Sequence, residues 1–462
     1  MNKPNILMIV CDQLRYDCVG YAGIRPIKTP NVDRLAARGM RFLNAYTPIP
    51  TCCPARQSLL SGRRPESFGA LWNYDITLPI PALEPNEYTF PRELFENGYQ
   101  TAYIGKWHVH PVKTPIDYGF DIYSSENDYY RFRCEKHPDS EFTGGWLGEA
   151  DAVPLFDTKT HFMARKAAEQ IEAFSKGSQP WHIRLDFSEP HLPCTPREEF
   201  LHLYNPDTIP QWGSFYDTFE DKPYIQKQNI VSWGLDAMTW DDWKDVVTRY
   251  YAIVSQMDDA VGMVLDMLDE NELWNDTVVI FTADHGDMCG SHRMIDKHVV
   301  MYDDVVRVPM VVYWPEVTEP GSVSDKYVYP FLDIPPTILE ACDLAPPSFF
   351  HGRSTARILR GRPEPDWRDS IMSTYNGQQF GLYCERMLVM GGFKYIWNMT
   401  DVDELYDMEH DRDELHNLIH NTNYAVILST LRHRLYDELK AVGDGILRTG
   451  YVDSQLLQGR KI

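Results

Sequence analysis

The chain has 462 residues, and its 44 Lys and Arg against 67 Asp and Glu give a formal net charge of −23. A chain this acidic has no general electrostatic attraction for nucleic acid or for an anionic membrane surface. An anionic substrate would therefore need positive potential that the site creates locally. The 43% of hydrophobic and 24% of charged residues are ordinary for a globular protein.

The nine cysteines are an odd number with no CxxC pair and no regular spacing. They predict neither a structural zinc site nor a disulfide framework, and they favour a reducing compartment. The first apolar run is too short for a signal peptide, and no later stretch is long enough to span a membrane. The sequence predicts a cytoplasmic protein without a membrane partner, unless a leader peptide is missing from it.

The first element is an apolar run at 6–10, which is typical of a strand buried on both faces of a parallel sheet. Further strands are predicted at 102–104, 181–187, 277–282 and 308–313, between helices at 31–42 (with Asn31 as cap), 89–97 (with Thr89 as cap), 160–174 and 240–268. This alternation predicts an α/β fold with a large, mostly parallel sheet flanked by helices. The aromatic-rich segments 111–154 and 206–233 are predicted to be loops over a site.

The pattern changes near residue 365. Short strands are predicted at 371–375, 386–390 and 393–398, with Gly391-Gly392 as a hairpin turn, before a last helix at 424–442. We therefore predict two domains. An α/β domain at 1–365 carries the site, and a smaller C-terminal α+β subdomain at 366–462 contains an antiparallel sheet.

The segment Cys52-Cys53-Pro54-Ala55-Arg56 is predicted to begin a short helix that ends at Gly62. Cys52 would lie where backbone N–H groups and the helix dipole favour an anion. Arg56, one turn later, can offer its planar guanidinium to an oxyanion. The alternative interpretation is a buried structural cysteine pair at a helix start.

Polar residues follow two of the predicted strands. Asp12 and Gln13 come after the first strand, and Asp284 and His285 come after the strand at 277–282. Side chains at the carboxyl ends of parallel strands face the crevice where open α/β sheets bind ligands. Carboxylate and amide oxygens suit Ca²⁺ or Mg²⁺, and a histidine nitrogen also admits Mn²⁺. The alternative is that both pairs are ordinary strand-end turn residues.

The C-x-P-x-R motif at Cys52, followed by a small hydroxylated residue and Gly, resembles the signature of the type I sulfatases, within the alkaline-phosphatase-like superfamily. Only Cys52 has Pro two residues on and Arg four residues on, so Cys53 is out of register. The resemblance implies an alkaline-phosphatase-like fold. It also implies that a formylglycine-generating maturation enzyme converts Cys52 to formylglycine (3-oxoalanine), whose hydrated aldehyde is the nucleophile.

Three further segments are similar to motifs of this family and occur in the family's order. They are Gly105-Lys106-Trp107-His108 for G-K-x-H, Pro190-His191-Leu192-Pro193 for P-H-x-P, and Lys297 about a dozen residues after the D-H-G segment. By resemblance Lys106 contacts the hydrated aldehyde and His108 is a base. His191 contacts the ester oxygen, and Lys297 binds the sulfate.

The resemblance also implies one divalent cation, with calcium as the first expectation and manganese or magnesium as alternatives. Its expected ligands are Asp12, Gln13, the side chain derived from Cys52, Asp284 and His285. Gln13 departs from the acidic pair of the family pattern and makes the site less negative by one charge.

These motifs predict a sulfuric ester hydrolase that cleaves a sulfated saccharide or a small alkyl or aryl sulfate. One alternative is a phosphonate monoester or phosphodiester hydrolase, since related enzymes with that activity share the Asp-Gln start and the later Asp-His. Another is a catalytically silent binder of sulfated saccharide. Aromatic residues that could stack on a substrate are Trp72, Tyr74, Tyr129, Tyr130 and Trp146.

Overall fold

A computed structural model describes residues 3–74, 78–377 and 382–461. The strands are β1 (Asn5–Asp12), β2 (Met40–Ala45), β3 (Gln100–Gly105), β4 (Ile122–Ser125), β5 (Trp181–Pro190), β6 (Thr277–Ala283), β7 (Met310–Tyr313), β8 (Ser322–Val328), β9 (Ser370–Gly377), β10 (Tyr383–Met390), β11 (Phe393–Asn398) and β12 (Glu404–Asp407). The helices are α1 (Pro30–Arg38), α2 (Cys52–Ser61), α3 (Phe90–Glu96), α4 (Glu126–Lys136), α5 (Lys159–Ser175), α6 (Glu198–Leu201), α7 (Tyr224–Trp233), α8 (Trp240–Glu270), α9 (Asp303–Val306), α10 (Pro330–Ala341), α11 (Ala356–Leu359), α12 (Ala425–Ala441) and α13 (Gly450–Leu456).

Eight strands form one large sheet in the order β4-β3-β5-β1-β6-β7-β2-β8. The pairs from β4 to β6 are parallel, whereas β7 is antiparallel to both of its neighbours. The central strand β1 is buried from Ile6 to Asp12, as its continuous apolar run predicts. The α/β fold with a mostly parallel sheet is therefore confirmed.

A second sheet of four antiparallel strands, in the order β12-β11-β10-β9, follows in the last quarter of the chain. Its own apolar core includes Trp397 from β11 and Leu435 from α12. The predicted hairpin is confirmed, because Gly391 and Gly392 join β10 to β11 with φ of 58° and 79°. The predicted boundary near residue 365 falls between α11 and β9, and the division into two domains there stays a prediction.

Several predicted boundaries differ from the structure. The helix predicted at 31–42 ends at Arg38, and residues from Met40 form β2, because Gly39 interrupts the helical pattern. The helix begins after Thr29 instead of Asn31, whose side chain donates to Asp258. The predicted cap at Thr89 lies at the right position, but its hydroxyl donates to the Tyr118 carbonyl.

Two segments predicted to be loops contain helices. The segment 111–154 includes β4 and α4, and the segment 206–233 includes α7. Helix α4 buries only Tyr129 and Arg133, so its sequence lacks the apolar stripe by which a helix is recognised. No helix in the described parts of the chain has the length and apolar composition needed to cross a membrane.

Gly105 ends β3 and precedes Lys106, and its conformation leaves no room for a side chain. Its φ is +103°, and a Cβ would lie 1.9 Å from the carbonyl oxygen of Asp186. Replacing Gly105 with Ala should lower the free energy of unfolding by about 2–5 kcal/mol, from a strained φ plus a backbone clash. Urea denaturation measures this loss.

Gly98→Ala is the matched control. Gly98 has a φ of +88° but nothing within 4 Å of the added Cβ, so only the left-handed conformation is penalised, by about 1–2 kcal/mol. Equal losses for the two variants would show that close packing of β3 on β5 does not constrain position 105.

Candidate active site

Four neighbouring strands of the large sheet end at one edge and deliver polar residues there. Register pairs Cys11 of β1 with Ala283 of β6, so Asp12 and Asp284 emerge side by side, and the Asp284 N–H donates to the Cys11 carbonyl. On the other side of β1, the strand β5 leads into His191, and β3 leads into Lys106. The carboxyl ends of parallel strands therefore assemble the site.

The start of α2 meets this edge and completes a cluster of possible metal ligands. Ligand atoms of Asp12, Cys52, Asp284 and His285 lie within 4.8 Å of one another, and all four residues are buried. The Cys52 Sγ lies 3.1 Å from His285 Nε2 and 3.6 Å from Asp12 Oδ1. Four residues that are distant in sequence and were predicted from motifs thus form one centre.

Arg56 differs from its sequence-based role as an oxyanion binder. Its guanidinium is fully buried and binds three carboxylates, with distances of 3.1 Å to Asp12, 2.6 Å to Asp186 and 3.0 Å to Asp284. Its NH1 group also donates to the Lys106 carbonyl. Arg56 therefore holds α2 against the ends of β1 and β6 and against the middle of β5, since its charged hydrogen bonds reach a carboxylate at each of these places.

Gln13 lies beside the cluster of acidic, thiol and imidazole groups, and its place as a metal ligand stays a prediction. Its side-chain oxygen accepts from Lys297 Nζ at 3.0 Å, and its side-chain nitrogen donates to Asp287. An amide supplies both a donor and an acceptor, so Gln13 can join a lysine to a carboxylate, which a second Asp could not do. Its backbone N–H donates to Asp284.

Two lysines and one histidine face the cluster. Lys106 Nζ lies 2.5 Å from Asp12 Oδ2, and Lys297 Nζ lies 3.0 Å from His191 Nε2. The Nδ1 of His191 contacts the Leu192 carbonyl at 2.7 Å, so Nδ1 carries a proton. The Nε2 of His191 therefore accepts from Lys297, and the two side chains form a proton-sharing pair.

The potential at position 52 is positive although the protein is acidic. Burial alone would raise the pKa of the Cys52 thiol, but Lys297, Lys106 and His285 hold this pKa well below its ordinary value. Burial would also lower the pKa of His285, yet Asp284 and Cys52 raise it to about 9. An anion bound at this position is therefore stabilised by the surrounding charges.

A cavity of about 500 Å³ opens above Cys52 and is lined by Lys106, His108, His191 and Lys297. His108 is hydrogen-bonded to Cys52, which contributes to the low pKa of the thiol, and its ring packs edge-on against Tyr74. The lining therefore includes the four residues that the G-K-x-H and P-H-x-P motifs and the later lysine predict around the ester, whereas Arg56 is not among them. The cavity volume falls within the range of small-molecule sites.

Of the other aromatic residues predicted to stack on a substrate, some line a cavity and others only contact neighbouring residues. Tyr129 and Tyr130 line a neighbouring cavity. Trp72 donates to the Leu78 carbonyl and Trp146 packs against Trp233, and neither is among the described residues that line these two cavities.

The motifs do not indicate the residues that contact and position the site residues without lining the cavity. Asp186, which binds Arg56, is a buried carboxylate between Leu185 and Phe187 in strand β5, and an acidic residue between two apolar ones is the available signal. His298 contacts Asp296 at 3.4 Å and the Tyr375 hydroxyl of β9 at 3.3 Å. The second sheet thus reaches the residue next to Lys297, a contact that no local pattern indicates.

Comparison with known proteins decides the family. Residues 4–344 match the family model of the sulfatases, and residues 290–441 match the model described as the C-terminal region of N-sulphoglucosamine sulphohydrolase. The chain belongs to the sulfatase family. It is a hydrolase of the type I group, within the alkaline-phosphatase-like superfamily.

One curated relative and two solved structures match this sulfatase-family chain over nearly their full length. It is 28% identical to an arylsulfatase of Clostridium perfringens over 99% of this chain and 98% of the relative. A structure in complex with its substrate D-glucosamine-2-N,6-O-disulfate aligns with a TM-score of 0.80 at 22% identity, over 96% of this chain and 99% of the other. A phosphonate monoester hydrolase of Agrobacterium radiobacter aligns with a TM-score of 0.80 at 23% identity, over 95% of each chain. These structural likenesses establish the fold.

The donor set of this sulfatase-family site fits a divalent cation. Two buried carboxylates supply charge and oxygen ligands, and the Nδ1 of His285 contacts the Gly286 carbonyl at 2.9 Å. The Gly286 carbonyl thereby holds one proton on Nδ1 and turns Nε2 toward the cluster, where a divalent cation would displace the second proton that Asp284 and Cys52 favour. The residues present can hold the cation that the family implies.

Arg56→Met tests the structural role of the guanidinium. The change leaves three buried carboxylates without their shared cation, so it should lower the free energy of unfolding by roughly 3–5 kcal/mol or prevent folding. Chemical denaturation measures the loss. The matched control is Arg63→Met, whose half-buried pair with Glu87 should contribute no more than about 1 kcal/mol. Equal effects in the two variants would contradict the role assigned to Arg56.

Proposed function

We propose that this chain hydrolyses sulfate monoesters with a nucleophile made from Cys52. The observation that carries the proposal is the place of Cys52 at the start of α2, inside a cluster of possible metal ligands and between Lys106 and Lys297. A sulfate monoester resists hydrolysis because its charged oxygens repel nucleophiles and its alkoxide leaves poorly. A site must therefore neutralise the oxygens, activate a nucleophile and protonate the leaving oxygen.

Two groups complete the site. Asp12, Asp284, His285 and the side chain at position 52 would hold one divalent cation, with calcium favoured by the two carboxylates and manganese or magnesium as alternatives. When bound, the cation neutralises charge and polarises oxygen ligands. Formylglycine, made from Cys52 by a maturation enzyme, would supply a hydrated aldehyde. One hydroxyl attacks sulfur and gives its proton to a carboxylate such as Asp284, and the second hydroxyl, once deprotonated, re-forms the aldehyde C=O as the C–O bond to sulfate breaks.

The remaining roles follow from the contacts of this chain's own residues. Lys106 and Lys297 face the cavity and neutralise the sulfate oxygens. The nitrogens of His191 and Lys297 lie 3.0 Å apart and share a proton. The pair delivers this proton to the leaving oxygen of the ester. His108, hydrogen-bonded to Cys52, accepts the proton from the second hydroxyl of the modified residue. Arg56 positions the carboxylates and does not contact substrate.

The nine cysteines are all free thiols, which supports the expected reducing compartment, and we propose that the protein acts in the cytoplasm. Its partners are then a sulfated saccharide or a small sulfate ester and the maturation enzyme.

Cys52→Ala should lower turnover of an aryl sulfate by at least about a thousandfold, because no nucleophile remains. Cys53→Ala, the adjacent buried thiol, is the matched control and should retain activity. Both variants are made in cells that contain the formylglycine-generating enzyme, and intact-protein mass spectrometry reports aldehyde at position 52. An active Cys52→Ala protein would rule out this nucleophile. A wild-type chain that keeps only the thiol in these cells would support a silent binder of sulfated saccharide.

A phosphonate monoester or phosphodiester hydrolase is the second candidate. Gln13 and His285 stand where related enzymes with that activity have the same residue types, and one such enzyme shares the fold over 95% of the chain. We expect kcat/KM of the matured protein for an aryl sulfate to exceed that for the matching aryl phosphonate by at least about tenfold, a difference of about 1.4 kcal/mol in transition-state stabilisation. The reverse ranking would establish the second candidate.

A further inference from the structure

A second cavity of about 300 Å³ lies beside the catalytic cavity. Lys106, Glu126 and His191 line both cavities, so the two are joined beside the pair that protonates the leaving oxygen. A substrate whose sulfate lies over Cys52 can therefore extend its alcohol portion into this second space. We call it the Lys159 cavity, after the cation at its centre.

Lys159 bridges two carboxylates in this cavity. Its Nζ lies 3.3 Å from Glu126 and 3.3 Å from Glu189, and the three side chains are mostly buried. Lys159 begins α5, Glu126 begins α4 and Glu189 lies near the end of β5, so three separate elements fix the arrangement. Burial would lower the pKa of Lys159, but Glu189 and Glu126 raise it well above its ordinary value, which keeps the ammonium charged.

The arrangement disfavours a charged alcohol portion of either sign. An ammonium that bound Glu126 or Glu189 would lie next to the Lys159 ammonium, which already binds both carboxylates and lies 5.7 Å from the centre of the Tyr130 ring, so the like charge would repel it. A carboxylate on the substrate would be repelled by Glu126 and Glu189, because the single ammonium of Lys159 already has to balance the charge of both. The third carboxylate of the wall, Asp151, is bound by both terminal nitrogens of Arg133 and adds no free charge.

The same groups suit hydroxyls. Carboxylate oxygens accept from hydroxyl donors, the Lys159 ammonium donates to hydroxyl oxygens, and such charge-assisted hydrogen bonds are the stronger ones. The Tyr130 side chain is 48% exposed and offers a ring face beside them. Further hydroxyls on the wall belong to Thr160, Ser188 and Thr195.

We infer that the Lys159 cavity binds the ring of a neutral sugar, so that this site prefers monosulfated neutral sugars over sulfated uronic acids, cationic alcohol sulfates and simple aryl sulfates. This inference deepens the proposed function and rests on it. Glu126, Lys159 and Glu189 are then specificity-determining residues that contact the alcohol portion and leave the chemistry of the ester to the catalytic cavity.

The test compares the matured wild-type enzyme with Glu189→Gln and Lys159→Met on a panel of substrates. The panel holds the monosulfates of N-acetylglucosamine and galactose, the monosulfates of glucuronic acid, choline sulfate and para-nitrophenyl sulfate. We expect each variant to lower kcat/KM for the best neutral-sugar sulfate by roughly ten- to hundredfold, the range for hydrogen bonds to charged groups. The loss for para-nitrophenyl sulfate should be at least about tenfold smaller. Glu135→Gln, an exposed carboxylate on the same helix as Glu126, is the control without effect.

Two results would overturn the inference. One is a wild-type preference for a uronic acid sulfate, choline sulfate or para-nitrophenyl sulfate over every neutral-sugar sulfate. The other is an equal loss on para-nitrophenyl sulfate and sugar sulfates in both variants.

Calorimetry of the same sugar sulfates on Cys52→Ala protein separates this inference from the proposed function. Suppose that the matured wild type turns over no sulfate ester, but that sugar sulfates bind and Glu189→Gln weakens their binding. The cavity assignment then holds and the proposed hydrolysis fails. If neutral-sugar sulfates are neither bound by this protein nor preferred in turnover, the cavity assignment fails.

Discussion

The site depends on one buried cation, the guanidinium of Arg56, which binds Asp12, Asp186 and Asp284 at once. Three carboxylates delivered by adjacent strands repel one another in a medium of low polarity, and each would be costly to bury alone. The planar guanidinium offers several donors in fixed directions, so one side chain reaches all three. Since Arg56 is one turn into α2, the same bonds set Cys52 at the helix start against the ends of β1 and β6.

This arrangement explains how a chain of net charge −23 presents a site for an anion. The buried guanidinium compensates part of the carboxylate charge, and Lys106 and Lys297 add positive charge on the side of the cavity. Lys297 is in turn held by Gln13 and His191, while His298, the next residue, contacts Tyr375 of the second sheet. The two sheets therefore meet at the residues that would bind sulfate, and local charge outweighs the net charge of the protein.

Much of this could be predicted from the sequence because the signals are local. The apolar run of β1 indicates a buried strand, and a polar residue directly after a parallel strand faces the crevice, so the sequence alone predicts Asp12 and Asp284 as site residues. Helix α4 could not be predicted, since it buries too few apolar residues to show a period, and it carries Glu126 of the Lys159 cavity. The contacts of Arg56 with Asp284 and of Gln13 with Lys297 could not be predicted either. A contact between residues more than 100 positions apart leaves no local pattern in the sequence.

The central claim is that distant strand ends and the start of one short helix form a single cation-binding centre around residue 52. The most direct measurement is anomalous diffraction from crystals of matured protein loaded with Mn²⁺. We expect one strong peak within about 2.5 Å of a ligand atom from each of Asp12, Asp284, His285 and the side chain at position 52. A peak elsewhere, or one in contact with none of these side chains, would contradict it.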